Sequence, residues 1–203
     1  GTRAAAKKIG GKAGYYAMHV KGLELPGYDP RGAFGLGLNY ATANRGGCHV
    51  SGFTIASEIF GIPLKADPFD PSGNMVDLTI MFQNLTASVD SSGNCLFLTF
   101  ALGADDYADM IKHVTGWKDY SVEEFLTAGD RIFALERLFN KREGFDRKDD
   151  TLPERLREES MPEGAPKGNV HPLEEMLDIY YNKRGYNKDG HPLDNRLNAL
   201  GLA

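Results

Sequence analysis

"SVEEFLTAGDRIFALERLFNKREG" runs from Ser121 to Gly144, and its reading decides the fold class. Ser121 is placed as an N-cap, with Glu124 three residues on. That is a capping box, in which each side chain satisfies the other residue's backbone N–H. Phe125, Ile132, Leu135, Leu138 and Phe139 recur at helical spacing, and Gly144 stops the run. The spacing predicts the longest helix of the chain within residues 121–142, with Ile132, Leu135 and Phe139 buried.

The same signals extend outward. "DDYADMIKHVTGW" has an acidic first turn and ends at Gly116, and "HPLEEMLDIYYNKRG" has Pro172 near its first position and Gly185 beyond its last. "HPLDNRLNALG" is the final helix, and the charged loop before these two has room for one helical turn. Upstream, "MVDLTIMFQNLTASVD" reads as a helix with Gln83 and Asn84 on its buried face. "AFGLGLNYATANRGG" places Phe34, Leu38 and Ala41 on one helical face, stopped by Gly46 and Gly47. Gly35 and Gly37 are poor helix residues and imply close approach by another group. Only "AMHVKGLEL" suggests an extended segment. The chain is expected to be mostly α-helical, with little sheet.

Composition narrows the function. With 41% hydrophobic and 25% charged residues the chain is globular rather than disordered. The net charge of −5 gives no basic field for nucleic acid. No apolar run is long enough to cross a membrane, and no apolar leader opens the chain, so a cytoplasmic location is expected. Two cysteines cannot build a disulfide framework and read as thiols or metal ligands. The opening residues lack an initiator methionine, and a fragment of a longer protein is expected.

Two short stretches carry candidate chemistry. In "DSSGNC", Asp90 lies where a helix should end, and an acid is unfavourable at that negative end. A carboxylate and the Cys95 thiol then stand five residues apart across a glycine turn and could face one bound group. A lone cysteine ahead of "LFLTF" is, however, more commonly a small packed residue. His49 follows the "RGG" break, where it could serve as a proton donor or acceptor near neutral pH, although a lone histidine is more commonly structural. Cys48 reads as packing.

The segment "ELPGYDPRGAFGLGLNYATANRGGCH", Glu24–His49, strongly resembles the tungsten-dependent aldehyde ferredoxin oxidoreductases. "DSSGNC" is similar to the family's D-x-x-G-L-C motif, with Asn94 in place of leucine. "GDRIFALERLFNKREGFDRKDDTLPERL" and "EEMLDIYYNKRGYNKDGHP" follow in family order, so the likeness covers essentially the whole chain. It implies the helical C-terminal domains of that family over residues 1–203. It further implies His49 as a proton carrier in the substrate cavity, Tyr28 as a further cavity residue, Asp90 and Asn94 against the pterin, and Cys95 as a [4Fe–4S] ligand.

The family's N-terminal pterin-cradling domain and its C-x-x-C-x-x-x-C segment have no counterpart in these 203 residues. A cluster of this type takes four thiolates. The resemblance therefore implies a tungsten–bispterin group and a cluster only in a full-length enzyme, and none in this chain alone. It implies an aldehyde substrate, ferredoxin and the protein's own N-terminal domains as partners, with a homodimer as a further option. The alternatives are a relative acting on a carboxylate or aromatic thioester, or a non-catalytic helical interaction domain. His49, Asp90 and Cys95 are expected to converge on one side, beside an exposed apolar patch.

Overall fold

A two-stranded hairpin is the only sheet in the computed structural model, which describes residues 1–203. Helices α1 (Thr2–Ile9) and α2 (Ala13–Tyr16) lead into β1 (His19–Val20) and β2 (Leu23–Glu24), antiparallel with Val20 opposite Leu23. A 3₁₀ turn at Pro30–Gly32 feeds α3 (Phe34–Thr42), and a π-helical turn at Ala56–Phe60 precedes α4 (Gly73–Ser91). A 3₁₀ turn at Leu96–Phe100 separates α4 from α5 (Ala104–Thr115) and α6 (Val122–Arg142). Short α7 (Glu154–Glu158), then α8 (Leu173–Arg184) and α9 (Asp194–Ala199), complete the chain.

The centre of the molecule is α3, every residue of which is buried. A helix apolar all round belongs inside a core, so the single face of Phe34, Leu38 and Ala41 understates its burial. It also ends at Thr42, before the glycines expected to stop it; Gly46, at φ 108°, instead turns the following loop. The first turn of α3 has no capping side chain of its own. Glu58, reaching in from the π-helical turn, accepts the backbone N–H groups of Gly35 (2.8 Å) and Leu36 (3.1 Å). The absence of a side chain on Gly37 admits His171, whose Nε2 lies 2.9 Å from the Phe34 carbonyl oxygen.

Helix α4 packs against α3, α6 and α8. Its buried polar face, anticipated at Gln83 and Asn84, meets Arg184 of α8. That guanidinium is fully buried and donates to Gln83 (2.8 Å), Asn84 (2.7 Å) and Asp130 (3.0 Å), with its carbon 4.4 Å from the Phe133 ring centroid. A second buried ion cluster joins the hairpin to α6 and α8. Asp150 takes Lys21 (2.9 Å), Arg137 (2.9 Å) and the Tyr181 hydroxyl (2.6 Å). Buried charges persist only when paired in this way.

Helix α6 has the predicted capping box and is the longest element. Its buried face differs from the expected one. Phe125, Gly129, Phe133 and Arg137, with Asp130 and Ala134, face inward; Ile132 is only half-buried, and Leu135 and Phe139 are 50% and 57% exposed. Gly129 sets this rotation, because any Cβ there would overlap the Asn84 carbonyl oxygen of α4. The close contact, together with ion pairing of Asp130 and Arg137, outweighs burial of two apolar side chains on the opposite face.

Candidate functional site

His49 lies on the loop that leaves the end of α3, and that loop is pinned from several sides. Asn39 donates to the Cys48 carbonyl (2.9 Å), and Gln83 holds Asn39 in turn (3.1 Å). Gly47 donates to Val20 of the hairpin (3.2 Å). Asn44 donates to the Phe133 carbonyl (3.1 Å), and Asn140 donates to the Asn44 carbonyl (2.6 Å). The buried end of α3 and two neighbouring helices thus fix a stretch that carries no regular structure.

The imidazole of His49 is half-buried between two rings. Its centroid is 5.7 Å from that of Tyr28, tilted by 40°, and 6.0 Å from that of Phe53 in an edge-to-face arrangement. Burial lowers its pKa, and the positive charge of Arg45 lowers it further. The ring is therefore neutral at physiological pH, the form that can take up a proton. Tyr28 is 37% exposed and projects from the "YDPRG" turn, where Asp29 caps the turn by accepting the Arg31 backbone (2.9 Å) and pairs with its guanidinium (2.7 Å).

Asp90 stands in the last turn of α4, exposed, and lines a polar recess of about 80 Å³ together with Arg45, Ser51, Gln83 and Thr86. The recess brings Asp90 to the loop that carries His49. Beyond the left-handed Gly93 (φ 76°), Asn94 donates to the Ser92 hydroxyl (2.8 Å), and Cys95 opens the 3₁₀ turn with an exposed thiol. The sulfur is thus free in this chain, against the commoner expectation of a packed residue. Cys48 is the packed one: it is buried, and Arg45 donates to its sulfur (2.8 Å).

A relay of rings joins the two regions. Phe53 lies 6.0 Å from Phe100, and Phe100 lies 6.3 Å from Phe97, two residues beyond Cys95. His49 and Tyr28 are in direct contact, Asp90 reaches their loop through the recess, and Cys95 is linked through Phe53 and Phe100. The chain contains no group of three or more His, Cys, Asp or Glu side chains arranged to hold a metal ion. Sequence reasoning missed Arg45, Phe53 and Phe100. The signal for Arg45 was its place within "NRGGCH"; no periodicity marks the two phenylalanines, which meet only through folding.

The donor set fits an iron–sulfur cluster in part. Four thiolates are required, Cys48 is committed to Arg45, and Cys95 alone is presented to solvent. The exposed Asp90 carboxylate beside Arg45 suits a polar heterocycle carrying N–H donors.

A family model described as aldehyde ferredoxin oxidoreductase, domains 2 and 3, matches residues 1–202. The tungsten-containing aldehyde ferredoxin oxidoreductase of Pyrococcus abyssi is 55% identical over 188 residues, covering 92% of this chain and 31% of that protein. The protein of the same name from Thermococcus kodakarensis is 53% identical over 189 residues, covering 93% of this chain and 31% of that one. More distant is a Pyrococcus furiosus protein named aliphatic sulfonate oxidoreductase, WOR-like subunit. It is 30% identical and covers 100% of this chain and 31% of that protein. Among solved structures, the active site complex BamBC of benzoyl coenzyme A reductase in complex with 1,5-dienoyl-CoA superposes with a TM-score of 0.72. At 24% identity, covering 100% of this chain and 35% of that chain, it is a likeness of fold. The chain spans 31% of the length of the curated relatives it matches. It belongs to the aldehyde ferredoxin oxidoreductase family, over the region of that family's domains 2 and 3.

Proposed function

We propose that residues 1–203 are the C-terminal helical part of an aldehyde:ferredoxin oxidoreductase, and that an N-terminal pterin-cradling domain and a C-x-x-C-x-x-x-C segment complete it. When bound, the tungsten–bispterin group and the [4Fe–4S] cluster supply the oxidation of an aldehyde and water to a carboxylic acid and pass two electrons to ferredoxin. The full-length protein works in the cytoplasm, alone or as a homodimer.

The observation that carries this reading is the half-buried His49 ring, held between Tyr28 and Phe53 on the loop that meets Asp90. His49 accepts one of the two protons that the oxidation releases on a ring nitrogen and hands it to solvent, which takes up the other. Tyr28 and Phe53 fix the plane of the ring, and Arg45 keeps the proton from being retained. With those groups bound, Asp90 would accept N–H groups of the pterin, Asn94 would offer its backbone to the same group, and Cys95 would donate one thiolate to the cluster. A second reading, chemistry at another functional group, rests on the relative named for aliphatic sulfonates. The higher identity to the aldehyde enzymes favours the first.

The test is aldehyde-dependent reduction of ferredoxin by the full-length, tungsten-loaded protein. His49→Ala is expected to cut turnover by about 10²–10⁴-fold, the usual weight of a general acid or base, with tungsten and iron contents unchanged. Full activity in that variant removes His49 from the chemistry. A loaded wild type that oxidises no aldehyde overturns the whole reading.

A further inference from the structure

An unbroken line of buried hydrogen bonds connects the His49 loop to Arg184 of α8. The guanidinium Nη2 donates to Gln83 Oε1 (2.8 Å), and Gln83 Nε2 donates to Asn39 Oδ1 (3.1 Å). Asn39 Nδ2 then donates to the carbonyl of Cys48 (2.9 Å), the residue before His49. Arg184, Gln83 and Asn39 are all fully buried. We propose that Gln83 is a positioning residue for His49, and that Arg184 sets the direction in which Gln83 and Asn39 point. The inference rests on the functional reading above, in which His49 carries a proton.

The direction of the line follows from its donors and acceptors. A guanidinium only donates, so the amide oxygen of Gln83 must face Arg184. The same oxygen also accepts the Tyr180 hydroxyl (2.8 Å), and the second N–H of the amide goes to Thr42 Oγ1 (2.9 Å). Every hydrogen-bonding position of the Gln83 amide is then filled. Turning it over would set N–H against the guanidinium and oxygen against oxygen at Asn39, and buried polar groups left unmatched are costly. One orientation of Gln83 thus permits one orientation of Asn39, with its nitrogen toward Cys48. Gly52 gives a second, independent observation. A Cβ there would overlap Asn39 Oδ1 and the Gln83 side chain. The two amides therefore underlie the chain on both sides of His49, at Cys48 and at Gly52. The loop has no regular structure of its own, whereas Asn39 and Gln83 stand on α3 and α4. Rigid helices carrying side chains locked by further hydrogen bonds are what hold a functional group to its geometry.

The experiment uses the full-length, metal-loaded protein and three variants. Gln83→Glu is nearly isosteric and keeps the Arg184 contact as an ion pair, so the fold is retained. It places an acceptor opposite Asn39 Oδ1 and turns the Asn39 amide away from Cys48. Asn39→Leu breaks the line without adding charge. Thr42→Val removes a different bond of the same Gln83 amide, off the line. In Gln83→Glu and Asn39→Leu, kcat for aldehyde oxidation should fall by about 10–10²-fold, the cost of a displaced catalytic group. KM, tungsten and iron contents and the melting transition should stay close to wild type. Alkylation of the buried Cys48 thiol, followed by peptide mass spectrometry, gives a readout independent of turnover. Its rate should rise about tenfold in both variants, as expected when the loss of one buried hydrogen bond lets the loop open. Thr42→Val should lower the melting temperature and leave kcat and Cys48 alkylation as they are. Unchanged kcat in Gln83→Glu overturns the proposal. So does a loss of kcat confined to the charged variant, which would be an effect of its field, or an equal loss in Thr42→Val, which would be general destabilisation. In a loaded wild type that oxidises no aldehyde, faster Cys48 alkylation in both variants supports the anchoring of the loop and sinks the aldehyde reading. Unchanged alkylation there overturns both.

Discussion

The ring of His49 leans on the ring of Tyr28 at 40°, with centroids 5.7 Å apart. The two residues are separated by all of α3 and come together because that helix is fully buried and its two ends are anchored. The Asp29–Arg31 turn fixes one end, and the Asn39–Cys48 hydrogen bond fixes the other. A side chain held this way loses little freedom on binding a substrate, which suits a group that must meet a reacting atom.

The pH dependence of turnover should report the lowered pKa of His49. Burial disfavours the imidazolium, and Arg45 disfavours it further. As a proton acceptor, His49 is active when neutral, so kcat/KM should rise with pH through a value below 6.5 and level off above it. Arg45→Met removes the smaller cause, and the rising limb should move to higher pH. A pH profile identical to wild type in the loaded variant would falsify this assignment.

The two cysteines should separate cleanly. In the full-length protein, Cys95→Ser is expected to lower iron content and abolish the cluster's electron paramagnetic resonance signal. Cys48→Ser should leave both in place, because its sulfur is committed to Arg45 inside the fold. Iron analysis of both variants decides the matter, and an iron content unchanged by Cys95→Ser would show that Cys95 is not a ligand.

Glu58 should give the stability of this chain a pH dependence of unusual sign. Burial pushes its carboxyl up to about 7 from an ordinary 4.5. The folded state therefore binds more protons than the unfolded state between those values, and stability falls as pH rises through that window, by up to about 1.4 kcal/mol per pH unit. Buried His171, pushed down to about 4, acts in the opposite direction between pH 4 and 6.5. The informative quantity is the difference between wild type and Glu58→Gln in denaturant titrations at pH 5, 6 and 7. The variant should lack the falling component, and parallel curves would refute the claim.

The two faces of α6 predict opposite tolerances. Gly129→Ala drives a methyl group into the Asn84 carbonyl oxygen and should destabilise the chain by about 1–3 kcal/mol or more. Leu135→Ser, on the exposed face, should change stability by about 0.5 kcal/mol or less. Thermal melts of the 203-residue chain rank the two, and the reverse order would mean that the helix is rotated.

Helix positions, caps and stops were legible in the chain because they depend on neighbours a few residues away. Ser121 and Glu124 cap α6, Gly116 and Gly185 end α5 and α8 in the left-handed conformation, and the polar face of α4 was visible at Gln83 and Asn84. The family was legible too, because "YDPRG", "NRGGCH" and "DSSGNC" follow in the family's order. Which face of α6 turns inward was decided only in three dimensions. Gly129, Asp130 and Arg137 offer no apolar signal, and their burial depends on Asn84, Arg184 and Asp150 from distant parts of the chain. The same holds for the ring relay. Phe53 and Phe100 are 47 residues apart and meet only when the loop before the π-helical turn and the 3₁₀ turn bring their rings to 6.0 Å. Local sequence sets backbone preference, whereas contact between remote side chains is set by how the helices pack, and that packing is a property of the whole fold.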